Sequence, residues 1–485
     1  MPLLPFGEYR PDVSDYEGQH TRNILNVLPR GDGYGPMRDV MSLTQALPSS
    51  CKGAFTARKN DGSVVVFAAT TTKLYRLSNT DYSWVDASLG AGTYTTLNDV
   101  DQWQFAQFGN FVIAVQANAV PQVYDITGAG PFANLAGSPP QARYVANVGR
   151  FLVLSGLNSN PYRIHWSGLN DVTNWTSGVN FSDFQDFPDG GFVRTVAGGE
   201  FGVIFQDSAI RRMTFVPGST AAFQIERIAQ DDGIYAPLSL AKAGEKLFFC
   251  SPQGFKVISG TGVPTQIGRE RIDRTALADI DISQPQFFVG VADPASSRIF
   301  WSYKSVNNGN TNFDKGLCYD WAIDRWTPIS WTGEFLCTLV QPGVTLENLD
   351  SVSSSIDALT LSLDSYSTAV VPQLALFNGH TGQVFSGTAK EATLETSEHG
   401  AAPNRIRVRG FRPITDASGY YGRLSYRDTE SSTVTLTNEI AVNANANIDV
   451  NVSARYARGR IRIPAGTTWT FAVGVEPDVS TEGLR

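Results

Sequence analysis

Histidine and cysteine are scarce, with four of each among 485 residues. His20, His165, His380 and His399 lie far apart and form no H-x-x-x-H or H-E-x-x-H spacing, which excludes the usual helix-borne zinc site. No G-x-S-x-G elbow and no Walker loop occurs, so the common hydrolase and nucleotide-binding signatures are also missing. Cys51, Cys250, Cys318 and Cys337 lack any C-x-x-C spacing, and two of them sit inside apolar strand patterns. Buried free thiols are expected rather than a disulfide or metal framework. Charged residues make up 17%, below the usual quarter, which disfavours helices laced with ion pairs. No apolar run approaches the length of a membrane span. The N-terminal MPLLPFGEYRPD has neither the basic start nor the apolar stretch of a signal peptide, so cytoplasmic synthesis and a soluble product are expected. The net charge of -8 argues against a surface built to grip nucleic acid, though not against a channel through which DNA slides.

What the chain does have is turn formers, with 45 Gly and 25 Pro, and an aromatic content of 11%. It also has a strand-turn-strand module that recurs every 40 to 51 residues. The copies read SVVVFAATTTKLYRL from Ser63, NFVIAVQANAVPQVYDI from Asn110, RFLVLSGLNSNPYRIHW from Arg150, FGVIFQDSAIRRMTFV from Phe201, KLFFCSPQGFKVISG from Lys246 and SRIFWSYK from Ser297. One such unit cannot cover both of its faces and must pack on its neighbours, so the fold class is all-β, a β-propeller of six to seven blades. QLALFNGHTGQVFSGT, with an Asn378-Gly379 turn, is the expected seventh hairpin. Aromatic pairs separated by turn formers, Tyr75 with Trp84, Trp166 with Trp175 and Tyr319 with Trp326, are expected on one side of their sheets, between blades.

Three parts follow from these patterns. Residues 1–45 read as an extended N-terminal arm, with an apolar cluster at Ile24 to Leu28 and a tight turn at GDGYGP. Residues 46–395 form the propeller, with an exposed loop at Val306 to Gly316 and an insertion around 340–370. From 396 to 485 strict period-2 alternation appears in RIRVRGFRP, GRLSYRD, STVTLTN, ANIDVNVSARY and RGRIRIPAG, which describes a C-terminal antiparallel β-sandwich.

Candidate catalytic carboxylates at blade turns are Asp183, Asp186, Asp189, Asp231, Asp232, Asp279 and Asp281, because propeller glycosidases need two acids at a set separation. Aspartate is equally the ordinary turn residue, and no catalytic, cofactor-binding or metal-binding set emerges. RERIDR at Arg269 to Arg274 reads as a solvated face or a subunit contact. Arg405, Arg407, Arg409, Arg412, Arg423, Arg427, Arg455, Arg458, Arg460 and Arg462 make the C-terminal part locally positive. This favours association with copies of the chain or an acidic neighbour over contact with DNA.

PLLPFGEYRPDVSDYEGQHTRNILNVLPRGDGYGPMRDV, CYDWAIDRWTPIS and the ending RGRIRIPAGTTWTFAVGVEPD resemble the tail nozzle proteins of short-tailed bacteriophages, also called tail tubular protein B, tail hub or DNA stabilisation proteins. The resemblance implies a virion structural protein without enzymatic activity or cofactor. It implies a homohexameric ring below the portal adaptor, with the adaptor and tail fibres as partners, that retains the genomic DNA and then conducts it. The alternative expectation is a tail propeller that binds or processes host-surface carbohydrate, with exposed Trp and Asp converging at one mouth of the wheel.

Overall fold

The computed structural model describes residues 3–14, 19–219, 221–340, 355, 371–400 and 403–483. The insertion expected around 340–370 therefore falls almost wholly outside the described residues. Seven four-stranded antiparallel sheets follow one another along the chain. The first runs Ala54–Arg58, Val64–Ala69, Leu74–Leu77 and Trp84–Asp86, from the innermost strand outward. In each of the first six blades the second strand is the most apolar, as in Phe151–Leu157, which is buried at every position. Such strands are covered on both faces by adjoining blades, so alternation gives way to a continuous hydrophobic run. Phe67, Tyr124 and Phe132 fill one of these seams, with ring centroids 4.9–5.4 Å apart.

Closure of the wheel depends on a strand from far away in sequence. Phe335–Val340, Pro372–Asn378 and Thr381–Val384 make three strands of the seventh blade, and Met41–Ala46 supplies the fourth, outermost one. The innermost strands Ala54–Arg58 and Phe335–Val340 then meet side by side and complete the ring. The blade count is seven. Its hairpin turns at Gly379-His380, one residue later than the expected Asn378-Gly379. Both residues have positive φ, 55° and 66°, as a two-residue type I′ turn requires.

A β-sandwich stands beside the wheel, and both ends of the chain build it. One sheet orders Ile448–Ala454, Ile406–Thr415, Ala472–Thr481, Gly33–Pro36 and Val27–Arg30, with Leu4–Pro5 also paired to Ala472–Thr481. The other orders Thr435–Leu436, Tyr421–Arg427, Tyr456–Ile463, Ala392–Glu395 and Ile24–Leu25. Phe6, Ile24, Val27 and Tyr34 are buried in one core with Leu394, Phe411, Ile448 and Ile461. The reading of residues 1–45 as a separate arm is thus corrected, because these short segments complete sheet edges that would otherwise leave backbone groups unpaired. Pro29 sits in the outermost of these strands, where a missing N–H costs nothing. GDGYGP does contain a tight turn, Gly31-Asp32, inside the hairpin of Val27–Arg30 with Gly33–Pro36.

The sandwich is fastened to the sixth blade through Asn26. Its backbone N–H donates to Pro328 O at 3.1 Å, its Oδ1 accepts from Ser330 N at 2.8 Å, and its Nδ2 donates to Glu391 O at 2.9 Å. Arg298 and Arg325 donate to the carbonyls of Pro29 and Arg30, each at 3.0 Å. RERIDR proves to be an intrachain latch. It leads into the short helix Asp273–Asp279, whose first turn is capped by the Asp12 carboxylate, and Arg271 pairs with Asp324.

Candidate functional site

The candidate carboxylates are not gathered in one place. Asp186 forms a two-pronged pair with Arg163 inside the third blade, and that guanidinium holds its carboxyl below the usual range. Asp183 accepts from Ser177, and Asp189 binds both Arg211 and Arg227. Asp232 meets the buried Lys256 ammonium at 2.6 Å, and Asp279 takes Lys315 at 2.9 Å and the Tyr303 hydroxyl at 3.0 Å. Asp281 closes a turn onto Ser283, whose hydrogen bonds lower its pKa, and Asp231 occupies a turn with φ of 55°. These acids brace turns and join strands, as aspartate in propeller turns commonly does.

The histidines are equally dispersed. His165 packs edge-on against Trp175 and burial lowers its pKa, as it does that of His399, whose Nε2 lies 2.9 Å from Ser397 Oγ. His380 contacts Glu334 at 2.7 Å, and His20 pairs with Glu8 in a two-stranded parallel ribbon. Among the described residues no three His, Cys, Asp or Glu side chains are grouped to hold a metal. All four cysteines are buried and free, and burial raises their thiol pKa values, Cys318 to about 12.

The expected aromatic pairs meet only in part. Tyr319 and Trp326 face each other in register and stack at 4.5 Å. Tyr75 and Trp84 share one core, but Trp166 and Trp175 pack in different seams. Trp175 lies in the loop before the fourth strand, not on it.

What the fold does bring together is a cavity of about 550 Å³ at one mouth of the wheel. Its walls are the segments that precede or begin the innermost strands of successive blades: Asn98 to Gln102, Arg143, Phe192 to Arg194, Tyr235 to Leu238, and Ile282 to Pro285. Asp101 accepts from Arg143 at 3.3 Å and from Asn98 at 2.7 Å, and Arg194 gives its Nε to Asp207 at 2.5 Å. Phe192 is 40% exposed, with Tyr162 edge-on at 5.2 Å and the Arg194 guanidinium 5.4 Å from its ring. Gln102 is buried and donates to Gln286 O at 3.3 Å, yet its Oε1 meets no donor among the described residues. Tyr144 and Leu238 line both this cavity and the axial shaft behind it, a space of about 400 Å³ also lined by Gln104, Lys242 and Phe335. Sequence reading did not find these residues, although their common position just ahead of each blade's first strand was a usable signal.

The arginines of the sandwich occupy both outer faces. Arg407, Arg409 and Arg412 are exposed on the strand Ile406–Thr415 of one sheet. Arg423, Arg427, Arg458, Arg460 and Arg462 alternate on two paired strands of the other. Glu398, 2% exposed, binds Arg427 and Arg458, and Arg462 binds Glu391 and Glu439. Arg423 and Arg460 stand directly opposite each other, and burial together with this like charge depresses the pKa of Arg460. Residues 396–485 hold eleven arginines against nine carboxylates, while the whole chain carries -8.

Fold and sites together define a seven-bladed β-propeller joined to a β-sandwich that both chain ends complete. No family profile matches the chain, and no curated protein matches it. Solved structures similar to it include BamB from Moraxella catarrhalis, at 10% identity over 75% of this chain and 94% of that one, with a TM-score of 0.36. Dihydro-heme d1 dehydrogenase NirN in complex with DHE is similar at 12% identity over 87% and 80%, with a TM-score of 0.37. YCF48 bound to D1 peptide is similar at 10% identity over 72% and 94%, with a TM-score of 0.37. At such identities the likeness is one of fold alone.

Proposed function

We propose that this chain is a structural component of a virion, the nozzle of a short phage tail, which assembles as a homohexameric tube below the portal adaptor and retains and then conducts the genome. The observation that carries this reading is the joining of both chain ends into one sandwich bolted to the wheel through Asn26, Arg298 and Arg325. These contacts tie the sandwich to the wheel, which suits the wall of a tube. Exposed arginines on the strand Ile406–Thr415, in a chain of net charge -8, suit head-to-tail contact between copies. The sequence resemblance at both chain ends supports the same reading.

A DNA duplex, whose major groove alone is about 12 Å wide, has no passage through a shaft of about 400 Å³ lined by Tyr144, Leu238 and Phe335. The DNA path accordingly runs between protomers. Negative-stain imaging and mass photometry of the purified chain, alone and with the adaptor, test the proposal. Six-membered rings with an open lumen are expected, and monomers under both conditions would overturn it.

A further inference from the structure

The mouth of the wheel is equipped for a small ligand, and its chemistry narrows the class. Its volume of about 550 Å³ falls in the range of about 300–1,000 Å³ typical of small-ligand sites. Three apolar side chains are left exposed around it, Phe192, Val100 and Ile282, at 40%, 45% and 37%. Two guanidiniums line it, but Arg143 is balanced by Asp101 and Arg194 by Asp207, so the field at the mouth selects no anion. The buried Gln102 amide has its Nε2 committed to Gln286 O, and its Oε1 is an acceptor without a donor among the described residues. An unmet buried acceptor calls for a hydroxyl or N–H from outside the protein.

We infer that this mouth binds a neutral saccharide, one pyranose ring lying with its C–H face on Phe192 and its hydroxyl edge toward Gln102, Arg143 and Arg194. A pyranose presents an apolar face and a rim of groups that both donate and accept. A carboxylate would bring no donor for Gln102 Oε1, and phosphate would bring a negative charge to guanidiniums that Asp101 and Asp207 already balance. The inference goes beyond the tube-wall role and does not depend on it, since every residue named belongs to one wheel.

The test is saturation-transfer NMR on the full chain with the methyl pyranosides of glucose, galactose, N-acetylglucosamine and rhamnose. Methyl phosphate and trialanine serve as the other arms. Saturation transfer to ring protons of at least one sugar is expected. Affinity should fall by about tenfold or more in Phe192→Ala and in Arg194→Ala. Phe184→Ala, which removes an exposed ring from an outer strand of the third blade, should leave it unchanged. Far-UV circular dichroism and melting confirm that each variant is folded. No transfer to any sugar, transfer confined to methyl phosphate or trialanine, or sugar binding unaltered in both folded mouth variants would overturn the inference. Ring assembly, scored separately by mass photometry, reports on the proposed function alone.

Discussion

Val384, near the end of the propeller's chain, pairs in register with Met41 at its beginning, and this contact shuts the wheel. In the same strand pair Thr44 Oγ1 accepts the backbone N–H of Gly382 at 2.9 Å, a buried hydrogen bond on a strand that no local turn holds in place. Thr44→Val keeps the shape and leaves that N–H without an acceptor. A loss of about 1–3 kcal/mol is expected in urea unfolding.

Glu398 should matter more. Its carboxylate lies almost wholly out of water between Arg427 and Arg458, so Glu398→Ala takes the carboxylate away from two guanidiniums in the sandwich wall. Removing one partner of a buried ion pair costs about 3–5 kcal/mol, and calorimetry should show that loss.

Asp273 provides a pH-dependent test. Burial raises its pKa from 3.8 to about 6, while Oδ1 accepts from Phe255 N at 3.0 Å. A carboxyl with a raised folded pKa binds its proton more tightly in the native state. Its contribution is full below the unfolded value and is lost as pH climbs through the folded one. Asp273→Asn keeps the shape and cannot ionise. Unfolding curves at stepped pH should show the variant gaining on the parent between about pH 4 and 6 and keeping that gain above. A constant difference across that window would contradict the assignment.

The four thiols are expected to be silent in the native protein. Cys51, Cys250, Cys318 and Cys337 are all buried, and burial disfavours the reactive thiolate. A chromogenic disulfide reagent should label none of them in buffer and all four in guanidinium chloride.

Ring assembly should respond to the sandwich surface. Arg409 and Arg412 are exposed on one outer face, so the double reversal Arg409→Glu with Arg412→Glu should weaken association between copies and leave melting nearly unchanged. Added salt should have the same direction of effect, because exposed charge pairs are screened. Mass photometry across a salt series measures both.

The blades were legible because each is a local pattern. Val64–Ala69 and Phe151–Leu157 announce a doubly covered strand by composition alone, and Gly379 marks the hairpin to within one residue. Aspartates such as Asp231 and Asp281 were visible as turn residues, and a latch in RERIDR could not be told from a solvated face. The reason is that Asp12, which caps the helix it leads into, lies more than 250 residues earlier in the chain.

Composition and periodicity by themselves determined the class of fold, the repeat and the alternating C-terminal strands, because these depend on neighbours within a few residues. Tertiary structure alone decided that Met41–Ala46 closes the wheel, that Ile24, Val27 and Tyr34 belong to the sandwich, and that Gln102, Arg143, Phe192 and Arg194 share one mouth. Those outcomes rest on backbone pairing and closure between distant segments. Many strands of similar pattern could make such pairings, and only the geometry of the closed ring selects among them.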